Sequence, residues 1–462
     1  MKDWKDERVI ILGAARQGLA LARYLAAHGA TVVLSDMREP EVLAEARQSL
    51  SDVDVEWALG GHPLELLDQA KLVCLSGGVP LQIEFIEKTL FRGIPLSNDS
   101  QIFLDAAPCK VIGITGSAGK STTTTLVGRM AAAAAEMDKR LRKTYMGGNI
   151  GDPLLNYVDE MQPNDLAVME LSSFQLELMT TAPQIAAVLN ITPNHLDRHG
   201  TMQAYTAAKA NILLYQQEDD IAVLNREDRG SWDLVDKIAG WLYTFGMGAL
   251  APRQLGTFVR DEAIWLRNAD GEVEVMPLSQ IQLRGEHNRM AVLAACAIAA
   301  AAGLSVEAMR KGVEDFRGVI HRLEFVREWG GAAWYNDSIA TAPERSMAAI
   351  RAFEEPVVLL AGGRDKDLPW EDFAELVRQR VDHLVVFGDA ADLILSKIGE
   401  VQPGQRPYSL DRCENLAHAV ETAKGLVEQG DVVLLSPGGT SYDEFADFEE
   451  RGERFKKLVR QL

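Results

Sequence analysis

The sequence predicts an α/β protein of three domains built on parallel sheets. Three observations carry that prediction. Apolar strand-length runs alternate with helical patterns from one end of the chain to the other. A glycine-rich turn joins a strand to a helix near residue 116. At 462 residues the chain is too long for a single core. The expected units are a Rossmann-like domain over 1–108, a central domain of the phosphate-loop ATPase type over 109–318, and a Rossmann-like C-terminal domain over 319–462, with a cleft invited where short hinges join them.

In the first domain Val9 to Leu12, Thr31 to Ser35 and Leu72 to Ser76 read as strands. The turn after the first, Gly-Ala-Ala-Arg-Gln-Gly at 13–18, has the outline of a dinucleotide-binding turn, and Asp36 ends the second strand where an acid would meet a ribose. Ala15 stands where a middle glycine would let a pyrophosphate approach. A nucleotide bound in another way, or a purely structural turn, therefore fits at least as well as NAD.

The central domain opens on Val111 to Thr115, which leads into Gly-Ile-Thr-Gly-Ser-Ala-Gly-Lys-Ser-Thr-Thr at 113–123 and then into a helix carrying Leu126, Val127 and Met130. Small residues at 116–119 let successive backbone N–H groups face one anion, Lys120 adds a point charge, and the Ser121 hydroxyl can ligate magnesium. Ile114 occupies the place of the first glycine of the common phosphate loop. An ordinary glycine turn is the bland alternative, but Lys-Ser following directly in a strand-to-helix context favours an ATP or GTP site. Further strands are expected at Leu166 to Glu170, Ile185 to Asn190 and Ile221 to Asn225, and a helix at His287 to Ala302. In the third domain the expected strands are Ala333 to Asn336, Val357 to Leu360, Leu384 to Phe387 and Val432 to Leu435.

Glu170 ends a strand of the sheet that carries the phosphate loop, so it is a candidate magnesium ligand rather than a merely solvated acid. The run at 190–200 follows another strand and concentrates His195 and His199 in a turn. Taken alone His195 is a surface histidine; its place beside the phosphate loop makes it a site residue. Lys209 reads on propensity as a helix-surface lysine.

Composition excludes several classes. Apolar content of 47% and charged content of 25% are those of a globular protein, and the alanine runs at 131–135 and 291–302 are too short to span a bilayer. The chain begins in charged residues that run straight into a strand, so no leader is expected, and a cytoplasmic protein without membrane insertion is. Four scattered cysteines (74, 109, 296 and 413) indicate reduced, buried thiols rather than zinc or redox chemistry. A net charge of −20 disfavours nucleic acid, so an anionic substrate must meet a local basic pocket.

Taken together, Thr-Gly-Ser-Ala-Gly-Lys-Ser-Thr, Glu-Leu-Ser-Ser-Phe-Gln-Leu, Asn-Ile-Thr-Pro-Asn-His-Leu-Asp-Arg-His, Ala-Ala-Lys, Gly-Glu-His-Asn, His-Arg-Leu-Glu, Asn-Asp-Ser-Ile-Ala-Thr and Ser-Pro-Gly-Gly-Thr-Ser resemble the motifs of the Mur ligases, in that family's order and over nearly the whole chain. The resemblance implies an ATP-dependent amide ligase that adds glutamate, in the D form, to UDP-N-acetylmuramoyl-L-alanine through an acyl phosphate. This is a step of peptidoglycan biosynthesis, and so of cell shape and division. It implies that Gly116, Ser117, Ala118, Gly119, Lys120, Ser121 and Thr122 wrap the ATP phosphates, and that His287 and Asn288 hold the adenine, Asp337 the ribose and Arg322 the phosphates and reaction centre. Ser121, Glu170, His195 and Lys209 would serve two magnesium ions, Lys209 after taking up CO2 as a carbamate. UDP would lie against Ala14, Ala15, Arg16, Gln17, Asp36, Met37, Arg38, Ser76, Gly77 and Gly78, and Asn149 would meet the muramoyl part. Thr341, Lys366, Ser441 and Phe448 match positions that contact the incoming glutamate, and the resemblance implies a monomer.

Two departures fall on the amino-acid side: Ile339 where the D-glutamate ligases have lysine, and Ser436 to Ser441 as Ser-Pro-Gly-Gly-Thr-Ser where they read Ser-Pro-Ala-Cys-Ala-Ser. They keep open the branch of the family that adds L-glutamate. Folylpolyglutamate synthetase, a phosphate-loop switch or transport ATPase, and an NAD enzyme are the other readings.

Overall fold

The computed structural model describes residues 3–283, 285–366, 368–402 and 404–462, without the side chain at 197. The chain divides into two compact units, Met1–Phe316 and Arg317–Leu462. Among the described residues three sheets form, two in the first unit and one in the second.

The first sheet comprises β1 (Arg8–Leu12), β2 (Thr31–Asp36), β3 (Val55–Leu59), β4 (Leu72–Leu75) and β5 (Leu96–Ser97), in the order β3-β2-β1-β4-β5 and parallel throughout. Ile10 and Ile11 are wholly buried, one on each face, as expected of a strand covered on both sides.

The second sheet holds β6 (Lys110–Thr115), β7 (Thr144–Gly148), β8 (Leu166–Glu170), β9 (Ile185–Val188), β10 (Ile221–Asn225), β11 (Trp241–Phe245), β12 (Leu255–Arg260), β13 (Ala263–Asn268) and β14 (Gly271–Pro277). Their order is β14-β13-β12-β11-β10-β9-β6-β8-β7. β6 pairs in parallel with β8 on one side and β9 on the other, so the loops after all three open on the same edge. The helix Lys120–Met137 then packs Leu126, Val127 and Met130 out of solvent, as their spacing predicts. The expectation of parallel sheets throughout is corrected here: β12 to β14 form an antiparallel meander at one side of this sheet. Tight turns join those strands, leaving no room for a crossover helix.

The third sheet runs β15-β16-β20-β17-β18-β19, with β15 (Glu324–Trp329), β16 (Ala332–Asn336), β17 (Val357–Gly362), β18 (Val381–Phe387), β19 (Ser409–Arg412) and β20 (Val432–Gly438). β15 is antiparallel to β16, and the other pairings are parallel. β20 returns between β16 and β17, so the loops after these three strands share one edge, the place where open α/β sheets bind ligands. The four cysteines are buried and free, as the sequence indicates.

Candidate active site

The phosphate loop leaves β6 between β8 and β9. Gly119 adopts φ +80 just before the helix, a left-handed turn at the N-cap that leaves the amides of Lys120, Ser121 and Thr122 as the helix's opening N–H groups. Asn190, two residues past the end of the neighbouring strand, stakes the loop down. Its carbonyl accepts from the Ser117 N–H (2.9 Å), its Oδ1 from the Ala118 N–H (2.8 Å), and its Nδ2 donates to the Ala118 carbonyl (3.1 Å). This corrects the expectation that the N–H groups of 116–119 all face the anion. Those of Ser117 and Ala118 are spent on Asn190. Ser117 Oγ also meets the Tyr205 hydroxyl (2.9 Å) and donates to the Thr192 carbonyl (2.9 Å).

Two ammonium groups converge on one carbonyl oxygen. Lys120 Nζ and Lys209 Nζ each donate to Gly116 O at 3.0 Å, and Lys209 Nζ also donates to Thr115 Oγ1 at 3.2 Å. Lys209 is 1% exposed, so the reading of it as a helix-surface lysine is overturned. Burial, and then the charge of Lys120, push its ammonium down to about 6, against the pull of Glu170. Glu170, itself buried, is held through one oxygen: Asn149 Nδ2 donates to Oε1 at 2.8 Å, while Oε2 has no hydrogen-bond partner among the described residues. Asn149, expected to meet substrate, thus also orients Glu170. His195 adopts φ +52 and sets its ring edge-on to Phe174, with centroids 5.1 Å apart.

Sequence reading missed Arg198. Its guanidinium lies 3.8 Å from the Phe174 centroid and donates to the carbonyls of Gly77 (3.3 Å) and Val79 (2.7 Å), tying the 76–79 loop of the first sheet to the His195 turn. The signal was available, an arginine three residues beyond His195, but its partner is distant in sequence. In the first sheet Gln17 Oε1 accepts from the Gly77 N–H (3.1 Å), so two loops expected to hold UDP are joined. Asp36 and Arg38, expected to be open to a ligand, are instead bound to each other. Asp36 accepts from the Ala14 N–H (2.7 Å) and from the Arg38 backbone, Nε and guanidinium. Burial alone would raise the Asp36 carboxyl; the hydrogen bonds from Arg38 and Ala14 and the Arg38 charge outweigh it and hold it at about 2. Asp36 therefore shapes the 13–18 turn. Met37 is 65% exposed, and Ala15, Arg16 and Gly78 are exposed as well.

His287 and Asn288 lie in the first turn of the helix Glu286–Ala301. In the second unit, Asp337 is an internal anchor. It is 4% exposed, and its oxygens accept from Ser436 Oγ (2.8 Å) and the Leu323 N–H (3.2 Å). Burial pushes its carboxyl up to about 7, against those hydrogen bonds and the charges of Arg322 and Arg345. Ser441 is buried, Thr341 and Phe448 half-buried, and Lys366 exposed. Arg451, also missed, is 1% exposed and donates to Ser338 Oγ, to the Ser338 carbonyl and to the Gly439 carbonyl, locking the 336–341 loop to the 436–441 loop.

A phosphate loop flanked on the same edge by a strand-end carboxylate and a buried lysine defines a nucleotide-using enzyme of α/β architecture. Three family models match the chain: the N-terminal domain of Mur ligases of the MurD-like kind over 7–98, the Mur ligase middle domain over 114–299, and the Mur ligase glutamate ligase domain over 321–439. The UDP-N-acetylmuramoylalanine--D-glutamate ligase of Symbiobacterium thermophilum is 39% identical over 458 residues, covering 99% of this chain and 98% of that one. That of Alkaliphilus metalliredigens is 36% identical, covering 99% of both chains. The chain belongs to the Mur ligase family. A crystal structure of MurF from Acinetobacter baumannii shares the fold, with a TM-score of 0.58 at 18% identity over 97% of this chain and 93% of that one.

Proposed function

We propose that the chain is an ATP-dependent ligase that joins the amine of D-glutamate to the terminal carboxylate of UDP-N-acetylmuramoylalanine, as the names of its relatives describe. The observation that carries the catalytic part is the convergence of Lys120 and Lys209 on Gly116 O next to Glu170. Two lysine nitrogens sharing one oxygen cannot both stay charged at low cost, which presses the buried Lys209 toward its neutral amine beside the charged Lys120.

The residues fit ATP and magnesium. A buried carboxylate oxygen without a partner, Glu170 Oε2, is where a cation offsets an otherwise costly desolvation. Among the described residues no three of His, Cys, Asp and Glu cluster as a metal site, so Ser121, His195 and a modified Lys209 would complete the ligand set. When bound, ATP and magnesium supply a phosphoryl group that turns a carboxylate into an acyl phosphate, which an amine can displace. The amides of Lys120 to Thr122 and the Lys120 ammonium hold the phosphates. Lys209, pressed toward its neutral amine by burial and Lys120, is the group that would take up CO2 with loss of a proton, and the carbamate would offer an anionic oxygen to the metal. His287 and Asn288 hold the adenine, and Arg322 reaches the phosphates. The turn at 14–17, residues 36–38 and the 76–79 loop hold UDP, with Asp36 fixing the shape of that turn. Thr341, Lys366, Ser441 and Phe448 hold the glutamate.

The test is product mass. With ATP, magnesium, UDP-N-acetylmuramoylalanine and each glutamate enantiomer offered separately, the D form should give a product heavier by one glutamyl residue together with ADP. Absence of product with both enantiomers refutes the ligase reading, and product from the L form alone refutes the stereochemical part.

A further inference from the structure

The loops at the carboxyl edge of β16, β20 and β17 gather cations. Arg345 stands exposed in the first turn of the helix Pro343–Ile350, with Nη1 3.4 Å from the carbonyl of Ile339. That carbonyl also accepts from the Thr341 N–H at 2.9 Å, so the guanidinium sits over the turn that presents Thr341. Lys366, exposed in the loop after β17, lies close enough to Arg345 for their charges to oppose each other, and Arg345 is opposed in turn by Arg322. Among the described residues none of the three forms an ion pair. The carboxylates that act on Arg345 are Asp337, buried and already hydrogen-bonded, and its exposed neighbour Glu344.

Such a grouping opposes folding through like-charge repulsion, in a chain whose net charge of −20 offers acids in abundance for pairing. It is accounted for if the missing anion is the ligand. Ile339 brings no charge to its turn, and Arg345 does. A dicarboxylic amino acid carries two carboxylates, one more than Lys366 alone can pair with. A guanidinium fork matches carboxylate geometry in a way that an ammonium does not.

We propose that Arg345 is a specificity-determining residue of this unit, pairing with a carboxylate of the incoming dicarboxylic amino acid alongside Lys366. The inference rests on the ligase reading above. It is tested by steady-state kinetics of Arg345→Met and Arg345→Lys beside the wild type, with glutamate, ATP and the UDP substrate each varied, and with glutamine as the neutral competitor. Arg345→Met should raise the KM for glutamate on the order of 10- to 100-fold and shrink the preference for glutamate over glutamine by a similar factor. The KM values for ATP and the UDP substrate should stay within about twofold, and Arg345→Lys should recover part of the loss. An unchanged KM for glutamate in the methionine variant, or a rise confined to the KM for ATP, overturns the proposal. Wild-type turnover separates the two claims. Without it the ligase reading falls and takes this inference with it; with it, an unchanged KM refutes the role of Arg345 alone.

Discussion

Lys209 shows how one residue can be misjudged by propensity and recovered by environment. Its helix, Met202–Leu214, has no clean apolar face, so nothing in the local pattern marks the lysine as internal. Yet it is 1% exposed, and its ammonium is pushed from 10.5 to about 6, by burial first and Lys120 second. The unfolded chain therefore binds more protons than the folded one between about pH 6 and 10.5. Stability rises with pH across that window, and the penalty is complete below about 6. Lys209→Met should thus stabilise the fold in CO2-depleted buffer, on the order of 2 kcal/mol at pH 6, by a margin that narrows at pH 9. Urea unfolding at the two pH values measures it, and a margin independent of pH would show that the lysine is not a displaced cation. The same variant should be nearly inactive as a ligase, because methionine cannot carry a carbamate.

At the scale of elements, the loop after β20 depends on close approach. Gly438 has φ +73, and a Cβ there would lie 2.8 Å from the Trp370 ring, whose Nε1 is held by Asp365 Oδ1 at 2.9 Å. Gly438→Ala should cost about 1–3 kcal/mol through strain and overpacking. Gly425, in the helix Leu416–Leu426, would place a Cβ in open space, and Gly425→Ala should stabilise by about 0.5–1 kcal/mol. Thermal unfolding of the pair decides the matter, and equal effects would contradict this view of the 436–441 loop.

The same scale shows what was legible in the sequence. The strands under the site were, because a doubly covered strand such as Leu166–Glu170 or Ile221–Asn225 is an unbroken apolar run. β5 has two residues, and β13 and β14 mix charged residues with apolar ones in an antiparallel meander, so neither gave a run to read. Lys120 was legible from the glycine-rich loop and Glu170 from the strand end it occupies in the same sheet, and the structure brings both to one edge. Arg198, Arg345 and Arg451 were not, since each is defined by carbonyls or charges that only the fold brings near it.

For the whole molecule, the account requires three binding tasks on an acidic chain: a UDP end on the first sheet, ATP on the second and an amino acid on the third. Uphill amide formation links them through one chemical event, transfer of a phosphoryl group to a carboxylate. Oxygen labelling reads that event directly. When the terminal carboxylate of UDP-N-acetylmuramoylalanine carries ¹⁸O at both positions and turnover proceeds with ATP and D-glutamate, one labelled oxygen should leave in inorganic phosphate and the other remain in the new amide carbonyl. Phosphate released without label, or released at the same rate when either the UDP substrate or glutamate is omitted, would contradict the account.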